Sequence, residues 1–221
     1  CRLLLENGCA HFMTKRFDRT EDGERHHLQT LCAMSHLDYK KKGTNSYEQY
    51  FMTLVALGLP YEQKEEAFRR MVFNVMSRNC DDHTKNFSFR LRAGQPWELA
   101  PAYDITFAHN PAGEWTHQHL MSINGKFKDF VLADFMAIAD RFGVGTAKSV
   151  MAEVRQAVLQ GPRLPCAHAA GGRPGAPVPL HLRPLAEHGR ARTQPQDRQG
   201  ALRPGQGAAD VQPVRGAGQP A

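Results

Sequence analysis

The chain has 221 residues, a hydrophobic fraction of 41% and a formal net charge of +6, which suits one large or two small globular domains. It has no apolar run of 18 or more residues, which excludes a membrane-spanning helix, and its five cysteines have no repeated spacing, which favours a reducing cytoplasm over a disulfide framework. The excess positive charge lies in residues 161–221, so the nearly neutral remainder does not predict a nucleic-acid-binding surface.

The two ends of the sequence are unusual. The first residue is Cys1, with no leader after it, so we expect the chain to begin inside a longer protein. Residues 161–221 contain 20 Gly or Pro residues and lack Phe, Tyr, Trp, Ile, Met and Lys. Such a segment buries too little apolar surface to fold, so we predict disorder. An out-of-frame translation and a natural flexible tail both remain open as its origin.

The first half of the sequence predicts a hairpin followed by helices. Asn7-Gly8 lies between two apolar runs within residues 2–17 and is typical of a tight β-turn. Residues 25–59 indicate mostly helix, with a break at 40–45 and Ser46 as an N-cap. Residues 61–77 predict the strongest helix, because their apolar side chains recur at one-face spacing.

The second half begins with a polar run at residues 79–86. Period-2 alternation over 87–92, a turn at 93–96 and a short apolar run at 97–100 predict a second hairpin. Further helices are predicted at two ranges, 128–142 and 146–160.

The candidate chemistry lies in the polar run and just after the second hairpin. Phosphoryl transfer requires a group that accepts a hydroxyl proton and oxygen ligands that hold Mg²⁺ against the phosphates. Asp81 and Asn86 have the five-residue spacing of the base and the metal-binding Asn in a kinase catalytic loop. Asp104 follows a hairpin, as does the Asp that is the second metal ligand in kinases, and Lys85 is suited to neutralise phosphate charge. These residues predict a phosphotransferase.

Several alternatives accompany this interpretation. Asp81 and Asp82 together are also typical of a helix cap or a solvated turn, and we interpret Asp82 as a loop or cap residue. Cys80 and His83 form half of a zinc-finger spacing and lack a second half. The paired histidines are interpreted as polar loop or surface residues: His26, His27, His117 and His119. A metal-dependent phosphohydrolase that uses the Asp/His cluster is a weaker hypothesis.

The motifs together resemble the C-terminal part of HipA-type serine/threonine kinases, the toxin component of a bacterial toxin–antitoxin pair. The resemblance spans residues 1–160 and rests on five segments: 15–19 (KRFDR), 73–74 (FN), 81–88 (DDHTKNFS), 100–105 (APAYDI) and, more weakly, 122–126 (SINGK). The segments 81–88 and 100–105, in this order and with the predicted hairpin between them, are more specific than either segment alone.

The resemblance implies roles for particular residues. Asp81 is implied as the catalytic base, with Lys85 beside it, and Asn86 and Asp104 as ligands of Mg²⁺. The nucleotide site for ATP is implied to be lined by a hinge segment and two further groups: Lys15, Arg16 and Phe17, then His83, Thr84, Lys85 and Asn86, and then Tyr103 and Asp104.

The predicted fold class is α+β and protein-kinase-like, mainly the α-helical C-lobe with an N-terminal β-hairpin and a catalytic-loop β-hairpin. Residues 1–19 are expected to be a hairpin and hinge remnant of the other lobe, residues 20–160 the kinase C-lobe, and residues 161–221 the tail. The expected partners are a Ser/Thr-containing protein substrate and a small DNA-binding antitoxin, with DNA reached only through that complex and with no membrane. The glycine-rich loop and strand Lys of a kinase are missing here, so a catalytically inactive remnant that retains a partner-binding surface is the alternative.

Overall fold

The computed structural model describes residues 1–7 and 9–160, so the predictions for Gly8 and for residues 161–221 lie outside the described part. Helices and strands are mixed along this part, as the sequence predicts. In chain order the elements are β1 (Arg2–Glu6), β2 (Cys9–Met13), β3 (His27–Thr30), α1 (Leu31–Met34), β4 (Asn45–Ser46), α2 (Tyr47–Ala56), α3 (Tyr61–Met76), β5 (Ser88–Leu91), β6 (Trp97–Leu99), β7 (Met121–Ser122), α4 (Leu132–Phe142) and α5 (Ala147–Gln160).

Both predicted hairpins are confirmed. Strands β1 and β2 pair antiparallel from Arg2 opposite Met13 to Glu6 opposite Cys9. Asn7 has the positive φ of 50° that the tight connection requires. Strands β5 and β6 pair antiparallel, with Phe89 opposite Leu99. The second hairpin carries the chain from the polar loop at residues 79–86 to the segment that contains Asp104.

The prediction that residues 25–59 are mostly helical is wrong at its beginning. Residues 27–30 form β3, which pairs antiparallel with β5, and only one helical turn follows in α1. Thr30 caps that turn, because its Oγ1 accepts a hydrogen bond from the backbone N–H of Ala33 at 3.2 Å. The strand has its backbone partners about 60 residues further along the chain, so tertiary pairing overrides the local pattern.

Helices α2 and α3 follow the prediction closely. Ser46 Oγ accepts from the backbone N–H of Gln49 at 3.3 Å, and Gln49 Oε1 accepts from the N–H of Ser46 at 2.8 Å, which forms a capping box. The apolar face of α3 is buried and includes Phe68, Met71 and Val72. Pro60 occupies the N-cap position of α3.

The last two helices complete the core. Helix α4 begins at Leu132, later than predicted, because the carboxylate of Asp134 accepts from the backbone N–H of Val131 at 2.8 Å and fixes the helix start there. Gly143, with φ of 74°, ends it in the left-handed region. The core contains buried side chains from α2, α3, α4, α5, β5 and β7. No helix in the described residues is both long and apolar enough to cross a bilayer.

Candidate functional site

The loop from Asp81 to Asn86 joins the end of α3 to β5 and is closed by its own last residue. The backbone N–H of Asn86 donates to the carbonyl of His83 at 2.9 Å. The side-chain Nδ2 of Asn86 donates to the backbone carbonyl of Asp81, also at 2.9 Å. The amide oxygen Oδ1 of Asn86 accepts no hydrogen bond from the described residues, so it is available as a ligand.

Asp81 lies on the open face of this loop. Its side chain is 42% exposed, and its Oδ1 lies 3.9 Å from Nε2 of His83. Partial burial raises the pKa of the Asp81 carboxyl above its ordinary value; the nearby His83 lowers it, and the negative charges of Asp104 and Asp82 raise it further. A carboxylate with a raised pKa and an exposed edge is suited to accept a proton from an incoming hydroxyl.

Asp104 follows the hairpin and also faces solvent. Its φ is 55°, in the left-handed region that non-glycine residues seldom adopt. Its backbone carbonyl accepts from Nδ2 of Asn79 at 3.2 Å. The negative charge of Asp104 is one of the smaller causes of the raised pKa of Asp81.

Lys85 is held by an aromatic ring that the sequence did not single out. Its Nζ lies 3.8 Å from the centroid of the Tyr39 ring, in cation–π contact. The same ring meets His83 edge-on, with 5.8 Å between centroids. Tyr39 therefore supports two of the predicted site residues from one side.

The predicted hinge residues differ in what they contact. Phe17 stacks on Tyr103 with 6.0 Å between ring centroids, and its carbonyl accepts from Nη1 of Arg90 at 2.8 Å. The Nζ of Lys15 pairs with Glu21 at 2.6 Å, and Nε of Arg16 donates to Asp18 at 2.8 Å. Phe17 thus joins the site through its ring, whereas the two cations form local ion pairs.

Tyr103 also touches the loop. Its hydroxyl donates to the backbone carbonyl of Lys85 and lies 2.6 Å from Oγ of Ser88. Burial raises the pKa of the phenol, so it stays protonated as a donor. Tyr103 therefore joins the post-hairpin segment to the end of the loop.

The sequence model of the HipA-like C-terminal domain matches residues 1–161. The chain belongs to this family. Among solved structures, it resembles a complex of HipA and HipB of Shewanella oneidensis MR-1 with operator DNA, at a TM-score of 0.53 and 20% identity. The alignment covers 66% of this chain and 39% of that chain, and at this identity the likeness shows the fold alone. No curated protein sequence matches the chain.

In the HipA-like domain, Asp82 lies in the loop as predicted, but its carboxylate is fully buried. The interpretation of His119 as a polar loop or surface residue is wrong about its exposure: it is 6% exposed, and its Nδ1 donates to Oδ2 of Asp82 at 2.9 Å. The backbone N–H of Leu120 donates to Oδ1 of Asp82 at 2.8 Å. Burial lowers the pKa of His119, but the charge and hydrogen bond of Asp82, with smaller contributions from Cys80, raise it to about 10.

Thr84 is also buried in the HipA-like domain. Its side chain has no exposed surface, and its carbonyl accepts from the backbone N–H of Cys32 at 3.1 Å. A nucleotide has no access to this side chain, so we leave it out of the nucleotide contacts proposed below.

The donor set of the open face fits Mg²⁺ and not zinc. Asp81, Asn86 and Asp104 present carboxylate and amide oxygens, which magnesium prefers. Within residues 1–7 and 9–160, no group of three His, Cys, Asp or Glu side chains is placed to hold a metal ion. The half-motif residue Cys80 is buried, and its Sγ lies 3.7 Å from Nδ1 of His109.

Proposed function

We propose that this chain is the C-terminal part of a HipA-like serine/threonine protein kinase, which transfers the γ-phosphate of ATP to a protein in the presence of Mg²⁺. Asp81 accepts the proton of the substrate hydroxyl, and Asn86 and Asp104 hold the metal. The fold is then the α-helical lobe of a protein-kinase-like enzyme, entered through the β1–β2 hairpin.

One observation carries the proposal. The loop is closed by the hydrogen bond from Asn86 to the carbonyl of Asp81, which leaves both the Asp81 carboxylate and the Asn86 amide oxygen without a hydrogen bond from the described residues. The backbone of Asp104 is joined to the start of this loop, because its carbonyl accepts from Nδ2 of Asn79 at 3.2 Å. The proposal therefore combines a proton acceptor and two oxygen ligands from one loop and from the segment that follows the next hairpin.

The metal and the nucleotide find suitable groups in this arrangement. A bound Mg²⁺ would neutralise phosphate charge, and the oxygens of Asn86 and Asp104 match its preference for hard ligands. Lys85, positioned by Tyr39, supplies a cation for the phosphates. The stacked rings of Phe17 and Tyr103 form one wall of the proposed nucleotide site.

We also propose a small DNA-binding antitoxin as the partner, with DNA reached through that protein. The support is the matched complex, which contains HipA, HipB and operator DNA. The chain spans 39% of the HipA chain in that complex, so the activity is proposed for the whole protein. The alternative is a catalytically inactive stretch that keeps only a partner-binding surface.

Calorimetry with Mg²⁺ and ATP tests the assignment of Asp104. We expect the chain to bind, Asp104→Ala to bind at least about tenfold more weakly because a charged ligand is lost, and Asp129→Ala to bind as the parent chain does. Asp129 is a matched control, since it is also exposed and has φ of 54°, close to the value for Asp104.

Equal binding by the parent chain and Asp104→Ala would refute the metal assignment. Absence of binding by the parent chain would favour the inactive alternative.

A further inference from the structure

A continuous path of hydrogen bonds runs through the interior from the loop to Asp104. The hydroxyl of Tyr47 donates to Oδ2 of Asp82 at 2.9 Å. Nδ2 of Asn74 donates to that hydroxyl at 3.1 Å. Nδ2 of Asn79 donates to Oδ1 of Asn74 at 3.1 Å and to the backbone carbonyl of Asp104 at 3.2 Å. Three side chains thus join the middle of the loop to the backbone of the proposed metal ligand.

The path has one consistent arrangement of donors and acceptors. Asn79 uses both hydrogens of its amide, one for Asn74 and one for Asp104. Asn74 accepts with its oxygen and donates with its nitrogen. An inverted Asn74 amide would place a donor against the Asn79 donor, and an acceptor against the Tyr47 oxygen, whose hydrogen is already donated to Asp82. The hydroxyl of Tyr47 accepts one bond and donates one. Each link therefore fixes the orientation of the next.

Burial makes the path costly to break. Tyr47 and Asp82 have no exposed surface, and Asn74 and Asn79 are 3% and 2% exposed. Water has no route to replace a lost partner, and an unpaired polar group in such surroundings is unfavourable. The fixed end is Asp82, whose carboxylate also accepts from His119 and Leu120.

The far end of the path meets a backbone that is tied to the start of the loop. Ala108 forms a parallel bridge with Asn79, and its carbonyl accepts from the N–H of Cys80 at 3.2 Å. The N–H of Ala108 donates to the carbonyl of Arg78 at 3.1 Å. The segment after Asp104 therefore runs beside the segment before Asp81. Within this pairing, the Asn79 side chain holds the residue with the unfavourable positive φ.

We propose that Tyr47, Asn74 and Asn79 are positioning residues that fix Asp104 relative to the loop of Asp81 and Asn86. The inference rests on the proposed function, because the position of Asp104 matters for chemistry only if its carboxylate holds the metal. None of the three touches the open face; they act through Asp82 at one end and through the Asp104 carbonyl at the other.

Helix α2 offers a matched pair of variants for the test. Tyr47→Phe removes the hydroxyl that carries the path. Tyr50→Phe removes a hydroxyl from an equally buried tyrosine one turn along the same helix, where Oη has no hydrogen-bond partner among the described residues. The two variants are alike in residue type, helix and burial, so they differ in the path alone.

Binding of Mg²⁺·ADP, measured by calorimetry, is the first readout. We expect Tyr47→Phe to weaken binding about fivefold to tenfold, which corresponds to the loss of one ordinary intramolecular hydrogen bond, and Tyr50→Phe to leave it unchanged. Asn79→Ala cuts the path at its other end. The double variant Tyr47→Phe/Asn79→Ala should bind no more weakly than Asn79→Ala alone, since both act on one path. Additive losses, or equal effects of the two tyrosine variants, would overturn the proposal.

A second readout does not depend on nucleotide binding. In ¹H–¹⁵N spectra without ligand, Tyr47→Phe should move the side-chain amide signals of Asn74 and Asn79 and the backbone amide of Ile105, and Tyr50→Phe should leave them in place. Unmoved signals of Asn79 and Ile105 in Tyr47→Phe would overturn the path. Failure of the parent chain to bind Mg²⁺·ADP, with these shifts present, would instead count against the proposed function alone.

Discussion

Asp81 and Asp82 are neighbours in the chain, yet they belong to two faces of the same loop with different physical chemistry. Asp81 is 42% exposed on the open face and accepts no hydrogen bond from the described residues, and its surroundings disfavour its charge. Asp82 is fully buried on the inner face and accepts hydrogen bonds from Tyr47, His119 and Leu120. The open face leaves the Asp81 carboxylate without a hydrogen bond, whereas on the inner face both carboxylate oxygens of Asp82 accept hydrogen bonds that hold the loop in place.

The largest expected effect is the loss of stability on neutralising Asp82, for which the same change at Asp81 is the comparison. Asp82→Asn should lower the free energy of unfolding by about 3 kcal/mol or more, because a buried ion pair is broken and one amide hydrogen must face the donor of Tyr47, His119 or Leu120. Asp81→Asn should change it by less than about 0.5 kcal/mol, or raise it, since the charge at this site is already unfavourable. Urea unfolding of the two isosteric variants measures the contrast. Similar losses from both would contradict the division into two faces.

A pH titration probes the inner face without a change at Asp82. The pKa of His119 is raised from 6.5 to about 10 in the folded chain, so the folded state keeps this proton at pH values where the unfolded state releases it. The resulting stability is fully present below about pH 6.5 and is lost as the pH rises towards 10, with a slope of up to about 1.4 kcal/mol per pH unit. Burial raises the pKa of Tyr47 well above 10, as does the charge of Asp82, so Tyr47 stays neutral over this range.

Urea midpoints between pH 6 and 9.5 measure that slope. His119→Gln should flatten it, and His117→Gln, at an exposed histidine two residues earlier, should leave it as in the parent chain. A slope that persists in His119→Gln would assign the pH dependence to other groups.

The smallest effect is expected on the open face. Tyr39→Leu removes the ring that holds Lys85, and a solvent-exposed cation–π contact contributes about 0.5 to 1 kcal/mol. We expect Mg²⁺·ATP affinity to fall about twofold to fivefold, with little change in the urea midpoint. Trp115→Leu is the control, because it removes a second lysine–aromatic contact, with Lys42, outside the proposed site. A loss of stability without a loss of affinity would mean that Tyr39 stabilises the fold, as the inner face does, and has no role in nucleotide binding.

The parts of this molecule that the sequence predicts are those in which the signal is local. The apolar stripe of α3, the cap at Ser46 and the turn of each hairpin all lie within a few residues of the structure that they determine. The candidate residues of the open face are also predictable from local signals. Asp81 and Asn86 have a fixed spacing within one loop, and Asp104 follows directly from the hairpin that the alternation predicts.

The inner face shows why other parts of the structure cannot be predicted from the local sequence. The sequence indicates that His119 is one of two nearby polar histidines. No residue near it in the sequence indicates that a carboxylate 37 positions earlier is buried against it. Strand β3 is not predicted for the same reason, since its partner β5 lies about 60 residues further along the chain. Tyr39 lies in a segment without regular structure, and only the folded chain brings its ring beneath Lys85. The missed groups are those whose partners are distant in the chain.

The distances along the chain between the partners of Asp82 also affect how the protein is made. Tyr47 precedes Asp82 by 35 positions, and His119 and Leu120 follow it by 37 and 38. Contacts of this range form slowly, because a long stretch of chain must be ordered before they are made. During synthesis, the loop has no complete set of donors until Leu120 has left the ribosome. We therefore expect the loop at residues 81–86 to reach its folded conformation only after the residues up to Leu120 have been synthesised.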